Sequence, residues 1–281
     1  MAAPDPEIVL VLGATGVQGG AVARGLLRSG RIVHALVRSP ASAGAASLAE
    51  AGARIVSGDL LDRSSLVRAF GEVTSVYAVT TPFAQGPEAE VLQGDTIIAA
   101  AEEAGLPWLI LASVASAGRT RVPHFQSKAR IERRLAASQV PWTVVAPSYF
   151  YENVLGASGR FESDRLALAV PFATPLAQIA LRDLAGVVAA VLTRRDEHLH
   201  QRIEVAGDAP TPGEMAALLG VPFEQLDLRE VRSRNPDLGA MYEFLSDQGY
   251  GIDVDAVRAR FPEVSWTTFG QWAREIRAGA R

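Results

Sequence analysis

Six short apolar runs separated by helix-like stretches limit what the first half of this chain can become. They read IVLVL (8–12), IVHALV (32–37), RIVS (54–57), VTSVYAVT (73–80), WLILAS (108–113) and TVVA (143–146). Between them the sequence predicts helices over 17–29, 47–51, 64–71, 88–104 and 123–138. Strands that are apolar without interruption are buried on both faces, which a parallel sheet covered by helices requires. The pattern predicts a doubly wound, Rossmann-type α/β fold.

After Tyr149 the pattern loosens into PSYFYENVLGASGRFESDRL, rich in aromatics and turn formers. PFATPLAQIALRDLAGVVAAVL then reads as a short strand leading into a helix capped by Asp183, and RIEVAG as a further strand returning to the sheet. The expected organisation is a Rossmann domain over 1–153, its sheet completed by about 177–207. A smaller region over 154–281 follows, with short helices and loops and a last helix around Trp272. No linker or repeat separates the two, so the second is expected to pack on the first.

Composition excludes several classes of function. The 281 residues, 48% hydrophobic and 21% charged, suffice for a large core. A net charge of −4 offers no footprint for a polyanion, so nucleic acid is not an expected partner. The absence of cysteine removes disulfides, thiolate nucleophiles and Cys-based metal sites together. His198 and His200 in RRDEHLHQR lack a third convincing ligand, so no metal is expected. No G-x-S-x-G lies between a strand and a helix, against a serine hydrolase. The start MAAPDPEIV lacks a basic segment followed by an apolar run, and no stretch reaches the ~18 apolar residues of a membrane span. A cytoplasmic protein without a membrane partner is expected.

The first strand runs into GATGVQGG, with glycine at Gly13, Gly16 and Gly19. A strand, a bare loop and a helix start place backbone N–H groups where a pyrophosphate can sit, and glycine lets it approach. The carboxylate that usually holds the ribose of NAD, about 20 residues further on, is missing. No Asp or Glu occurs between Glu7 and Glu50, and the second strand ends in LVRSP, with Arg38 placed to pair with a 2′-phosphate. NADP (NADPH) is therefore the expected cofactor. Asp59, in SGDLLD, is a candidate for the adenine edge or for a helix cap. With residues at the ends of the strands, the expected cofactor set is Gly13, Thr15, Gly16, Val17, Gln18, Gly19, Arg38, Asp59, Leu60, Thr80, Thr81, Ser113 and Lys128.

Of 27 basic residues only Lys128 is a lysine. A chain that uses arginine in every other basic role has kept one compact ammonium, suited to ribose hydroxyls beside a nicotinamide. His124 stands four residues earlier, on the same face of a helix, as an acid/base candidate. Ser113 and Ser116, in LASVASAG, can polarise a carbonyl or bond the nicotinamide amide. Tyr149, Tyr151 and Asn153 follow the sixth strand, where aromatics beside an amide can stack a flat substrate and orient its carbonyl. Phe83 and Phe172 are further candidates for that wall, whereas Phe150 reads as core.

GATGVQGG, VPHFQSK, APSYFYENV and MYEFLSDQGYGIDVD, in that order and over most of the chain, resemble the NmrA-like family, an atypical branch of the short-chain dehydrogenase/reductases. The resemblance implies an NADP-preferring Rossmann domain with a smaller substrate-side domain, and an asparagine at Asn153 that looks toward the nicotinamide. Ordinary members of the wider superfamily carry Tyr-x-x-x-Lys, where this chain has His124-x-x-x-Lys128, a departure that sets it apart from standard alcohol dehydrogenase chemistry. Relatives of this kind are reductases of quinones, enone-like or ether-containing aromatics, some thought to use the lysine, or proteins that bind the cofactor and report its redox state to a partner. The reading is an NADPH-dependent reductase of a small flat carbonyl-containing or conjugated substrate (quinone, enone, aldehyde or imine), with Lys128 and His124 as the catalytic candidates. The alternative is a non-catalytic sensor with a regulatory protein partner, and a homodimer is compatible with either.

Overall fold

The computed structural model describes residues 7–83, 85–155 and 164–279. Residues 156–163 of the aromatic segment and 1–6 of the start lie outside the described residues. The chain divides into two compact units. Unit 1 comprises 1–113, 127–146 and 185–203, and unit 2 comprises 114–126, 147–184 and 204–281.

Unit 1 is built on β1 (Ile8–Val11), α1 (Val17–Arg28), β2 (Ile32–Val37), α2 (Ala43–Glu50), β3 (Arg54–Ser57), α3 (Arg63–Phe70), β4 (Ser75–Ala78), α4 (Pro87–Ala104), β5 (Leu109–Ala112), α5 (Pro123–Ala136), whose first turn, 123–126, falls in unit 2, and β6 (Trp142–Pro147). The expected strands and helices are present with small shifts of their ends. The sheet order β3-β2-β1-β4-β5-β6 is the doubly wound one, and each pair of neighbours in it runs parallel. The expected returning strand is β10 (Gln201–Val205), which adds a seventh position beside β6. The sheet order reverses between β1 and β4, so the loops after these two strands open onto the switch point where such sheets take ligands.

Local chemistry explains where the ends differ from the pattern. The strand expected over 73–80 starts only at Ser75, because Thr74 turns its N–H and hydroxyl onto the backbone of Ile8. The helix expected over 47–51 starts at Ala43, where the hydroxyl of Ser42 accepts from the N–H of Ala45. Leu10, Leu12, Ile97, Leu109, Leu111 and Val144 form the centre of the unit 1 core.

Gly94 brings α5 close to α4. A Cβ there would lie 2.5 to 2.8 Å from three side-chain carbons of Ile131, whose branched chain has little freedom to yield.

Unit 2 contains β7 (Tyr149–Phe150), β8 (Leu166–Leu168), β9 (Gln178–Ile179), α8 (Pro212–Leu219), β11 (Phe223–Gln225), α9 (Leu228–Arg234), α10 (Pro236–Asp247), α11 (Val254–Arg260) and α12 (Phe269–Gly279). The expected short strand is β9, and the last helix is α12. Between β9 and β10 run α6 (Leu181–Thr193) and α7 (Arg195–His198). Asp183 does not cap α6 as expected. It lies inside the first turn, buried, and accepts from the N–H and hydroxyl of Thr267 at 2.7 and 2.9 Å, while Glu152 accepts the N–H of Leu181 instead. Burial raises both carboxyls above their ordinary values.

Gly94→Ala removes a helix glycine but forces Ile131 and α5 to move. Overpacking outweighs the gain in helix propensity, so a net loss of about 1 to 2 kcal/mol is expected. Thermal unfolding checks this, with a fall of roughly 2 to 8 °C in Tm.

Candidate functional site

The loop after β1 is shaped by two glycines. Gly13 has a φ of +66°, and a Cβ on Gly19 would lie 2.3 Å from the carbonyl oxygen of Gly13, a backbone atom that cannot swing away. The start of α1 is thereby pressed against the turn. Its N-cap is Gly16, without a side-chain cap, and its first turn holds no acidic residue. By contrast α2, α3, α8, α9, α10 and α11 are all capped by a side chain. An uncapped N-terminus floored by glycine is a cradle for an anion.

The other expected cofactor residues also belong to unit 1. Thr15, Gly16 and Val17 are exposed, whereas the amide of Gln18 donates to the buried hydroxyl of Tyr77 at 2.9 Å and ties the loop to β4. Gln18 therefore offers a ligand its backbone and not its side chain. Arg38 is exposed past the end of β2, with no ion-pair partner among the described residues. Asp59 accepts the N–H of Leu61 at 2.9 Å and stabilises its own turn, while the cap of α3 is Asp62. Leu60 is half-buried against the core. Thr81 is exposed, its N–H donating to Gln93.

Lys128 and Thr80 are brought together, with a third residue that no motif signals. Lys128 Nζ lies 2.9 Å from Glu90 Oε1, 2.9 Å from the carbonyl oxygen of Thr80 and 3.0 Å from its hydroxyl. Ser113 is buried and donates its hydroxyl to Glu132, which also accepts from Arg202 at 2.8 Å. The hydroxyl proton of Ser113 is thus engaged within the protein.

Unit 2 holds the remaining candidates. His124 Nδ1 lies 2.7 Å from Asp237 Oδ2, and its backbone N–H donates to Oδ1 of the same carboxylate at 3.1 Å. A carboxylate only accepts, so Nδ1 carries a proton, and the imidazole is oriented by the first turn of α10. Asp237 was not legible as its partner, 113 residues away. Ser116 adopts a left-handed φ of +63°, its N–H donating to Glu204 at 2.8 Å.

Tyr149 is buried, its hydroxyl bonded to Tyr242 and to the side chain of Asn153, which is itself exposed. Burial above all pushes the Tyr149 phenol well above its ordinary value, and Tyr242 adds to this. Tyr242 and Tyr250 are also raised by burial, so all three are neutral phenols at pH 7.

Two aromatic expectations change. Tyr151 is fully buried, its hydroxyl donates to the carbonyl of Thr267 at 3.0 Å, and its ring packs on Phe269 and Trp272. It belongs to the core and is not available to a substrate. Phe150, expected in the core, is half-buried. Phe83 is 83% exposed in the loop after β4, and Phe172 rests on Phe223. Among the described residues no group of three His, Asp or Glu can hold a metal, and no helix is long and apolar enough to cross a membrane.

Fold and geometry together define a Rossmann-type protein with a dinucleotide loop. The chain belongs to the NmrA-like family, whose model matches residues 5–226. It is 32% identical over 235 residues to (4-alkanoyl-5-oxo-2,5-dihydrofuran-3-yl)methyl phosphate reductase of Streptomyces griseus subsp. griseus, covering 80% of this chain and 79% of that protein. The chain spans about half the length of several fungal oxidoreductases of the family, 47 to 50%. An NADPH-dependent quinone oxidoreductase of Escherichia coli, solved with NADPH, shares the fold at a TM-score of 0.79 and 21% identity, over 96% of this chain and 99% of that one. NmrA, a negative transcriptional regulator solved with NADP, does so at 0.79 and 18%, over 98% of each chain.

The Asp237 contact gives a prediction independent of function. Asp237→Ala removes the acceptor of both the ring and the backbone N–H of His124, at an expected cost of about 1.5 to 3 kcal/mol. Urea unfolding should show this as a lower midpoint with an unchanged slope.

Proposed function

We propose that this chain is an NADPH-dependent reductase acting on a small, flat, carbonyl-containing or conjugated substrate. The observation that carries the reading is the side-chain-free helix N-terminus at Gly13, Gly16 and Gly19, at the point where the sheet order reverses. The residues present fit a dinucleotide there. The uncapped first turn of α1 would hold the pyrophosphate, and Arg38 the 2′-phosphate that distinguishes NADPH from NADH. Lys128, fixed beside Thr80, would meet the nicotinamide ribose. When bound, NADPH supplies the hydride.

The candidates for the substrate are Asn153 and His124, both in unit 2. The exposed amide of Asn153, held against Tyr149, is suited to orient a carbonyl, and the oriented imidazole of His124 to move a proton. Relatives named as reductases support an enzyme over a sensor, among them one aligned over four-fifths of this chain. The likeness to NmrA, at 18% identity, speaks for a shared fold.

The purified protein should bind NADPH more tightly than NADH, and Arg38→Asp should remove most of the difference, since one charge-assisted pair contributes about 1.5 to 3 kcal/mol. Equal affinities in the parent protein, by calorimetric titration, would sink the cofactor assignment. NADPH should be consumed with at least one member of a panel of quinones, enones, aldehydes and imines, and Asn153→Ala should slow this without weakening NADPH binding. If the whole panel is inert while the NADPH-bound and NADP⁺-bound forms differ in affinity for a protein partner, the sensor reading replaces the reductase.

A further inference from the structure

The one lysine of this chain is held by a carboxylate that lies outside every motif. Glu90 sits in the first turn of α4 and is fully buried, where an unmatched charge would be costly. It is matched on both oxygens. Oε1 faces Lys128 Nζ at 2.9 Å and accepts from the hydroxyl of Thr80 at 3.1 Å, and Oε2 accepts from the hydroxyl of Ser127. An ammonium has three N–H donors. Three acceptors surround this one: the Glu90 carboxylate, the carbonyl of Thr80 and the hydroxyl of Thr80.

Helix packing alone does not account for the arrangement. Two other ion pairs link α4 to α5, Glu88 with Arg130 and Glu102 with Arg134, and both use arginine at more exposed positions. Buried ion pairs are often replaced by apolar residues at no cost to stability. Here the chain places its sole lysine against the most buried carboxylate among the described residues and against Thr80, two residues beyond the end of β4 and next to the switch point of the sheet. A long, rotatable side chain has been given one position.

We propose that Glu90 is a positioning residue for Lys128: together with Thr80 and Ser127 it fixes the ammonium before a dinucleotide arrives, so that a ribose hydroxyl, taking the place of one Thr80 acceptor, meets a preset charge instead of a mobile chain. Less side-chain freedom is then lost on binding, which raises affinity. The inference rests on the reading of Lys128 as the group that meets the nicotinamide ribose.

The single lysine makes the test direct, because protein labelled with ¹⁵N-lysine gives one Nζ resonance. Glu90→Gln keeps the shape and removes the charge, while Glu90→Asp keeps the charge and withdraws it by one methylene. Both should displace or exchange-broaden the Nζ resonance in the protein without ligand, and both should weaken NADPH binding by up to about tenfold, the cost of immobilising one rotamer-rich side chain on binding. Arg130→Ala, which breaks the neighbouring link between the same helices, should leave both readouts unchanged. The proposal is overturned if the folded Glu90 variants keep the parent's Nζ resonance and bind NADPH within twofold of it. Should Glu90→Gln not fold, Glu90→Asp decides, since it leaves no unpaired buried charge. If the parent itself does not bind NADPH, the functional reading fails and the positioning role with it, whereas parent binding that the Glu90 variants leave intact overturns the positioning role alone.

Discussion

The contact between Gly19 and the carbonyl of Gly13 is the constraint on which the cofactor half of this protein depends. With a Cβ excluded at 2.3 Å, the first turn of α1 lies directly on the turn that leaves β1. The N-cap is itself a glycine, Gly16, so no side chain covers the first turn, whose N–H groups lie beside the ends of β1 and β4, where the sheet order reverses. Gln18, bonded to the buried hydroxyl of Tyr77, locks the loop to the sheet from below. The Gly94 approach does the same for the next layer, bringing α5 near enough to α4 for Lys128 to reach Glu90.

Polar chemistry is distributed differently in the two units. Unit 1 has prepaired its inward groups: Lys128 with Glu90, and Ser113 with Glu132 and Arg202. Its exposed arginine past β2 is left without such a pairing among the described residues, in keeping with a ligand phosphate as its partner. Unit 2 instead concentrates phenols, with Tyr149, Tyr242 and Tyr250 buried and their hydroxyls held neutral by that burial. Neutral phenols can donate hydrogen bonds to a ligand but carry no charge to attract an anion.

Much of the fold was legible because it is written in local patterns. Buried parallel strands show as unbroken apolar runs, and the glycines of GATGVQGG carry their geometry in their spacing. The small residues of ASAGAAS hid the true start of α2, since alanine, glycine and serine give no periodicity to read. The site was legible only in its end points. Lys128 and His124 stand out by type and spacing, but their partners Glu90 and Asp237 lie 38 and 113 residues away and belong to no motif. Tyr151 shows the converse limit. It shares an aromatic run with Tyr149, yet α12 and the carbonyl of Thr267 claim it for the core, a contact over 116 residues that no local pattern encodes.

The central claim is that this chain holds NADPH in one orientation and transfers its hydride. The most direct test follows the label from NADPH deuterated separately on each face of the nicotinamide C4, incubated with the protein and an electron acceptor. The account predicts that the NADP⁺ recovered has lost deuterium from one face only, and that consumption slows for that isotopomer. Unconsumed NADPH with every acceptor, or equal loss of label from both faces, would contradict it.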